Sequence, residues 1–301
     1  MSRNLLLAVM GLALSLCACN MTKFTANTTS KVIEVAGNAL NQENDVELAR
    51  EAAPASLKTI EGFLMASPEN EVFLAVLAEG YCNYTFGFIE SDIEEARWAG
   101  KGEVESRLTA RATNLYIRCM NYGLKLLGEG WEKDLHGDMR SFDARVAKAG
   151  PDQVKGMFWT ALGLASAINL NKDDIDMVAY LPKAKTLLER VVALDPNFNY
   201  GLAHMALGML SASLPKALGG DPEGARKHFD AAMAATTGKF LIPKVMMGIT
   251  LGVQSGDRKF FHDTLVQVLE TSPAVFPDQR LGNELAHVKA KRYLAHEKEL
   301  F

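Results

Sequence analysis

Cysteine is scarce in this chain: four in 301 residues, with Cys17 and Cys19 near the start and only Cys82 and Cys119 in the body. Two thiols are too few for a cysteine-built metal cluster. Each is expected to be buried singly in a helix, although spacing alone does not exclude a disulfide. Charge of one sign is scarce as well, because 32 Lys and Arg stand against 36 Asp and Glu, for a net charge of -4. Without a dominant basic patch, nucleic acid is not the expected partner. No Gly-rich phosphate loop, HExxH or GxSxG occurs, and no nucleophile, base and orienting group converge in the pattern, so neither an enzyme nor a resident cofactor is expected. His204 and His228 lack metal-ligand spacing, so no metal is expected either. Strand signals are nearly absent.

The chain opens on one apolar run, Leu5 to Leu16, behind a single positive charge at Arg3. A bilayer span needs about 20 apolar residues, so this run is the h-region of a secretion signal. It ends in LSLCACN. Bacterial lipoproteins are cut before a Cys that has a small residue in front of it and usually Leu three positions upstream. Cys19 has Ala18 and Leu16 there, whereas Cys17 follows bulky Leu16. Cys19 is therefore the expected lipid-modified residue, residues 1–18 the signal peptide and 19–36 a lipid-anchored linker. Two or three acyl chains exceed what stable anchoring to a membrane requires. Asn20 is not the Asp that often retains lipoproteins at the inner membrane, which makes the periplasmic face of the outer membrane the expected location.

Residues 37–301 then read as one helical domain with repeats. Ser56, Ile60, Phe63 and Pro68 share a spacing of four, three and five with Ala184, Leu188, Val191 and Pro196, and with Phe261, Leu265, Val268 and Pro273. Ala225, Phe229 and Ala232 keep the four and three without the Pro. That is the second-helix spacing of tetratricopeptide repeats. Their first-helix signature recurs in Trp159, Leu162, Gly163 and in His204, Leu207, Gly208, where Gly allows two helix backbones to approach closely. The fold class is thus all-α, an irregular tetratricopeptide-type stack of antiparallel helix pairs. Helices are predicted over 47–66, 71–88, 103–127, 153–169, 181–194, 199–212, 222–236, 241–254, 257–271 and 278–297. Two inserts, Asn169 to Pro182 and Ser213 to Pro222, delay the second helix of their repeats. They are either plain loop growth or walls that close part of the superhelix.

The succession FWTALGLASAINLNKDD, AYLPKAKTLLERVVALDPNFNYGLAHMALGMLSASLPKALGGDPEGARKHFDAAMAATTGKFLIPKV and FPDQRLGNELAHVKAKRYL resembles the TatT family, the tetratricopeptide lipoproteins that are the T component of TRAP transporters. The resemblance runs from about Gly37 to Leu294. It implies a non-enzymatic periplasmic lipoprotein, closed into a toroid with a central pore and able to assemble as a homotrimer. The implied partner is the extracytoplasmic solute-binding protein of a TRAP system, with a small organic or apolar ligand passed between them. A tetratricopeptide scaffold for envelope assembly, with no ligand transport, is the alternative.

Ligand-path candidates come from an excess of aromatics in YCNYTFGF and FW. They are Tyr84, Phe88, Tyr116, Phe158 and Trp159, each of which could equally fill space between helices. Asn169 and Asn171 could add polar groups to such a path. With Asp173 and Asp174 they could instead cap the helix that follows, because Asn and Asp accept backbone N–H bonds at a helix start. Lys183, Arg190 and Asp195 read as solvated or helix-end charges. Gly219, Gly220, Asp221 and Pro222 read as a turn followed by a capped helix.

Overall fold

The computed structural model describes the backbone of residues 3–213 and 220–301, and side chains from residue 21 onward except Thr22 within that backbone. Cys17 and Cys19 therefore lie outside the described side chains, as does Gly219 in the second insert. Among the described residues there is no strand; the chain is a succession of helices.

The chain begins with α1 (Arg3–Asn41), α2 (Val46–Ala66), α3 (Glu71–Trp98) and α4 (Gly102–Leu127). The two short helices α5 (Trp131–His136) and α6 (Met139–Lys148) then lead to α7 (Val154–Leu170), α8 (Ile175–Val178), α9 (Leu181–Leu194) and α10 (Phe198–Ala212). The last part comprises α11 (Pro222–Ala234), α12 (Ile242–Met247), a π-helical turn (Gly248–Gly252), α13 (Val253–Ser255), α14 (Arg258–Glu270), α15 (Arg280–Ala295) and α16 (Glu297–Leu300).

Local chemistry sets the starts of these helices. Asp45, Asn70, Asp138, Asp174, Asp221 and Asp257 each accept a backbone N–H of the first turn. Buried residues at helical spacing, such as Ala49, Ala53, Leu57, Ile60 and Leu64 on α2, turn one face to the core. The glycines expected to allow close approach do so. A Cβ on Gly163 would lie 2.6 Å from the Tyr116 carbonyl oxygen, which places α7 backbone against α4 backbone, and one on Gly208 would meet the Phe229 ring at 3.0 Å.

Several sequence expectations are corrected. Cys82 and Cys119 are not buried singly; they form a disulfide that ties α3 to α4, with Cα atoms 5.5 Å apart. The stretch 19–36 lies within α1, where small Ala26 and Ser30 let the helix pack closely on the body while Asn27 Oδ1 accepts from Ser67 and Asn70. The helix expected to end at residue 88 continues to Trp98 through a π turn at Thr85–Ile89, since Ile89, Ile93 and Ala96 prolong its buried face. Helices α5 and α6 were not foreseen; short and partly polar, they carry little periodic signal. Lys183 is not a solvated charge. Its ammonium is buried and donates to the carbonyls of Leu135 and Gly137, closing the C-terminal end of α5, and Arg190 donates to the Ala149 carbonyl at the end of α6 in the same way.

The last long helix returns to the first ones. In α15, Lys289 and Arg292 donate to the buried Glu94 carboxylate of α3, Tyr293 adds a third hydrogen bond at 3.1 Å, and Arg292 also reaches Glu95. Leu285 fills the space over Gly87, and Trp98 stacks on His296 with ring centroids 4.3 Å apart. Residues of α15 also contact α1 and α2. Glu71–Trp98 has the length and mean hydropathy of a membrane span, yet most of that stretch is buried within this packing.

Candidate functional site

Between the first helices and the last lies a cavity of about 710 Å³. Its wall is mostly apolar. Ile33 and Leu40 come from α1, Ile60 and Phe63 from α2, Val76, Phe86 and Phe88 from α3, and Leu281 and Leu285 from α15. The far side is made by Tyr116 of α4, Leu162 and Ser166 of α7, Leu202 and Met205 of α10, and Phe240 and Ile242 at the start of α12. No single pair of helices builds it. A volume of this size, lined by hydrocarbon and aromatic groups with a few polar ones, suits a small ligand with an apolar body.

The polar groups are few and are placed by the helices around them. Glu79 lies on the wall, where burial pushes its carboxyl above the usual carboxylate range, opposed by a hydrogen bond with Asn41 and by the charge of Lys155, both also on the wall. Tyr116 donates to the Glu90 carboxylate behind it. Burial is the main cause that raises both the Glu90 carboxyl and the Tyr116 phenol, with the charge of Lys289 and the Tyr116 hydrogen bond opposing it at Glu90. Asn199 and Tyr200 have φ of 47° and 60°, and Gly201 follows at 80°. This left-handed turn is uncommon for non-glycine residues and costs of order 1–3 kcal/mol at each. It enters α10, brings Asn199 to the cavity and sets Tyr200 edge-on against Phe240 and Phe276.

Of the aromatic residues proposed from sequence, Phe88 and Tyr116 are on this wall. Tyr84 is half-buried beside Phe88, with ring centroids 5.6 Å apart, one turn removed from it. Phe158 and Trp159 face the interior of the helix stack, buried against each other, with Phe158 also edge-on against Phe198. Asn171 donates to Thr113 Oγ1 and to the Ala167 carbonyl and so finishes α7, Asn169 is exposed, and Asp174 caps α8. Sequence reasoning missed Glu79, Asn199 and Phe240, while Phe86 belongs to the YCNYTFGF cluster from which the aromatic candidates are drawn. The only signal for Asn199 was the Asn-Tyr-Gly run, which tolerates a left-handed backbone.

Two other clusters lie outside the cavity. The Glu61 carboxylate accepts from Tyr81, Tyr122 and Arg118 beside the disulfide; burial pushes its carboxyl up, and the bonds from Lys58, Tyr81 and Tyr122 together outweigh this and hold it below the usual range. His204 and His228, far apart in sequence terms, meet with their Nδ1 atoms 3.0 Å apart. Their ring centroids are 5.3 Å apart, so the two nitrogens face each other almost head-on, as in an N–H···N hydrogen bond. Among the described residues no group of three or more His, Cys, Asp and Glu converges to hold a metal ion.

Among the described residues the fold is an all-α stack of helices whose last long one packs on the first ones, with an apolar-walled chamber between them. Sequence comparison gives the family: the profile of the TRAP transporter T-component (TAtT) matches residues 42–301, and the chain belongs to that family. It is also 22% identical over 266 residues to an uncharacterized protein of Treponema pallidum (strain Nichols), covering 86% of this chain and 81% of the relative. Membership gives the chain an accessory role in TRAP transport and points to the cell envelope as its location.

Proposed function

We propose that this chain is the lipid-anchored periplasmic component of a TRAP system that docks the extracytoplasmic solute-binding protein and passes it a small ligand with an apolar body. Cys19 carries the lipid and holds the protein at the periplasmic face of the outer membrane. The helix pairs of tetratricopeptide type form a toroid, and the cavity is its central passage, with Phe88 and Tyr116 on the ligand path. A homotrimer is the assembly expected from the family. The observation that carries this reading is the apolar wall contributed jointly by α1, α2, α3, α7, α10 and α15 in a chain of the T-component family.

The test is direct. Native mass spectrometry of protein purified from its membrane should show a co-purifying small molecule, lost in Ala75→Trp, which fills the cavity from the wall, while helicity is kept. Mixing at tens of micromolar with the solute-binding protein from the same TRAP system should give a complex in sedimentation. An empty cavity in every preparation together with no complex would overturn the reading. Cys19→Ala should release the chain from the membrane, whereas Cys17→Ala should leave it attached; acyl chains on Cys17 would refute the assignment.

A further inference from the structure

Helix α1 has two apolar faces. One, with Ala26, Ser30, Ile33 and Gly37, packs on the body or lines the cavity. The other carries Met21, Phe24, Val32 and Val35, which are between 66% and 70% exposed. At the helical turn per residue these four fall, with Thr28 and Ala39, within an arc of about 80° opposite the packed side. From Met21 to Val35 the stripe runs about 21 Å along the helix. A surface helix of a soluble body normally buries its apolar face and wets the other, so this second stripe lacks a partner within the described chain.

Charge and position say what covers it. From Met21 to Val35 the charged residues are Lys23, Lys31 and Glu34, all exposed; by the helical turn Lys31 borders the stripe, whereas Lys23 and Glu34 lie about 120° or more from its centre. A second copy of the chain laid on this face would bring Lys31, which borders the stripe, toward a like charge, because Glu34, the acid of this span, falls about 120° around the helix from the stripe centre. An anionic bilayer surface meets Lys31 with opposite charge, and its long stem can lie along the apolar stripe while the ammonium group reaches headgroups. The stripe also begins at Met21, directly after the expected lipid anchor at Cys19.

We infer that the outer face of α1 lies in the interfacial layer of an anionic membrane, Met21, Phe24, Val32 and Val35 entering the headgroup–acyl boundary and Lys31 at the border of the stripe contacting headgroups. This rests on the lipid anchor at Cys19. It adds that the body is held against the membrane along α1 and does not hang from a free tether.

With Cys82 and Cys119 bonded, Cys17 removed with the signal and Cys19 acylated, an introduced cysteine is the one free thiol in the mature chain. The acylated full chain carrying Phe24→Cys, Val32→Cys, Val35→Cys or, as a distant exposed control, Lys259→Cys is labelled with bimane and reconstituted in phosphatidylethanolamine–phosphatidylglycerol vesicles. Blue-shifted emission quenched by shallow nitroxide lipids is expected at the three stripe positions and not at Lys259. Solvent-like, unquenched emission at the stripe in protein whose N-terminal peptide mass shows acyl chains overturns the inference and leaves the anchor standing. A blue shift without lipid quenching that tracks self-association in sedimentation assigns the face to a second copy and also overturns it. Quenching in protein without acyl mass overturns the anchor at Cys19 and leaves the membrane face supported.

Discussion

Replacing Glu94 by Gln should release the last long helix from the first part of the chain. The Glu94 carboxylate is buried and takes hydrogen bonds from Lys289, Arg292 and Tyr293. Lys289 is itself buried and lies over the Phe86 and Tyr293 rings, and the Arg292 side chain is only 10% exposed. An amide keeps the shape but removes the negative charge, so two cations stay in a low-dielectric contact with exposed Glu95 left to Arg292 and only the more distant Glu90 carboxyl near Lys289. Breaking a buried pair on one side costs about 3–5 kcal/mol. At roughly 2–4 °C per kcal/mol for a domain of this size, that is a fall of about 6–20 °C in Tm. The loss should be local first: hydrogen exchange should quicken in α15 and in the π turn of α3 before it does in α7. Glu94→Leu combined with Lys289→Met should recover much of the loss, because an apolar replacement of a buried pair is often near neutral. A loss below about 1 kcal/mol for Glu94→Gln, in the range of exposed ion pairs, would refute the reasoning.

Three further outcomes are expected. The double change Cys82→Ser, Cys119→Ser opens a loop of sequence separation 37, which the chain-entropy relation values at about 4 kcal/mol, measurable as a lower urea midpoint that reducing agent reproduces in the parent. Gly163→Ala pushes a methyl into the Tyr116 carbonyl and should cost about 1–3 kcal/mol by denaturation, whereas Gly62→Ala, with nothing near its added carbon, should be neutral or stabilising. Burial lowers both His204 and His228 from the ordinary value of 6.5, with His228 a further cause for His204, so the unfolded chain binds more protons there. Their contribution is therefore complete above about pH 6.5 and is lost as pH falls through the lowered folded values, and His228→Gln should flatten that part of the stability profile; an unchanged slope would show that another group titrates.

The sequence by itself determined the elements. Period and capping are local properties, so Asp45, Asn70, Asp221 and Asp257 announce where helices begin, and the spacing of Ala184, Leu188 and Val191 announces which face is buried. Gly163 and Gly208 could be read as contact points because only the absence of a side chain permits such approach. The tertiary structure alone decided which residues share a site. Aromatic side chains at helical spacing look alike in sequence whether they turn toward a cavity, as Phe88 and Tyr116 do, or toward a neighbouring helix, as Phe158 and Trp159 do. Likewise, Lys183 and Lys289 have the sequence appearance of surface charges. Their burial depends on carbonyls at Leu135 and Gly137 and on the Glu94 carboxylate, partners 46 to 195 residues away. The cavity exists because α15 comes back to α1, α2 and α3, and a contact between chain ends leaves no local pattern from which it could be read.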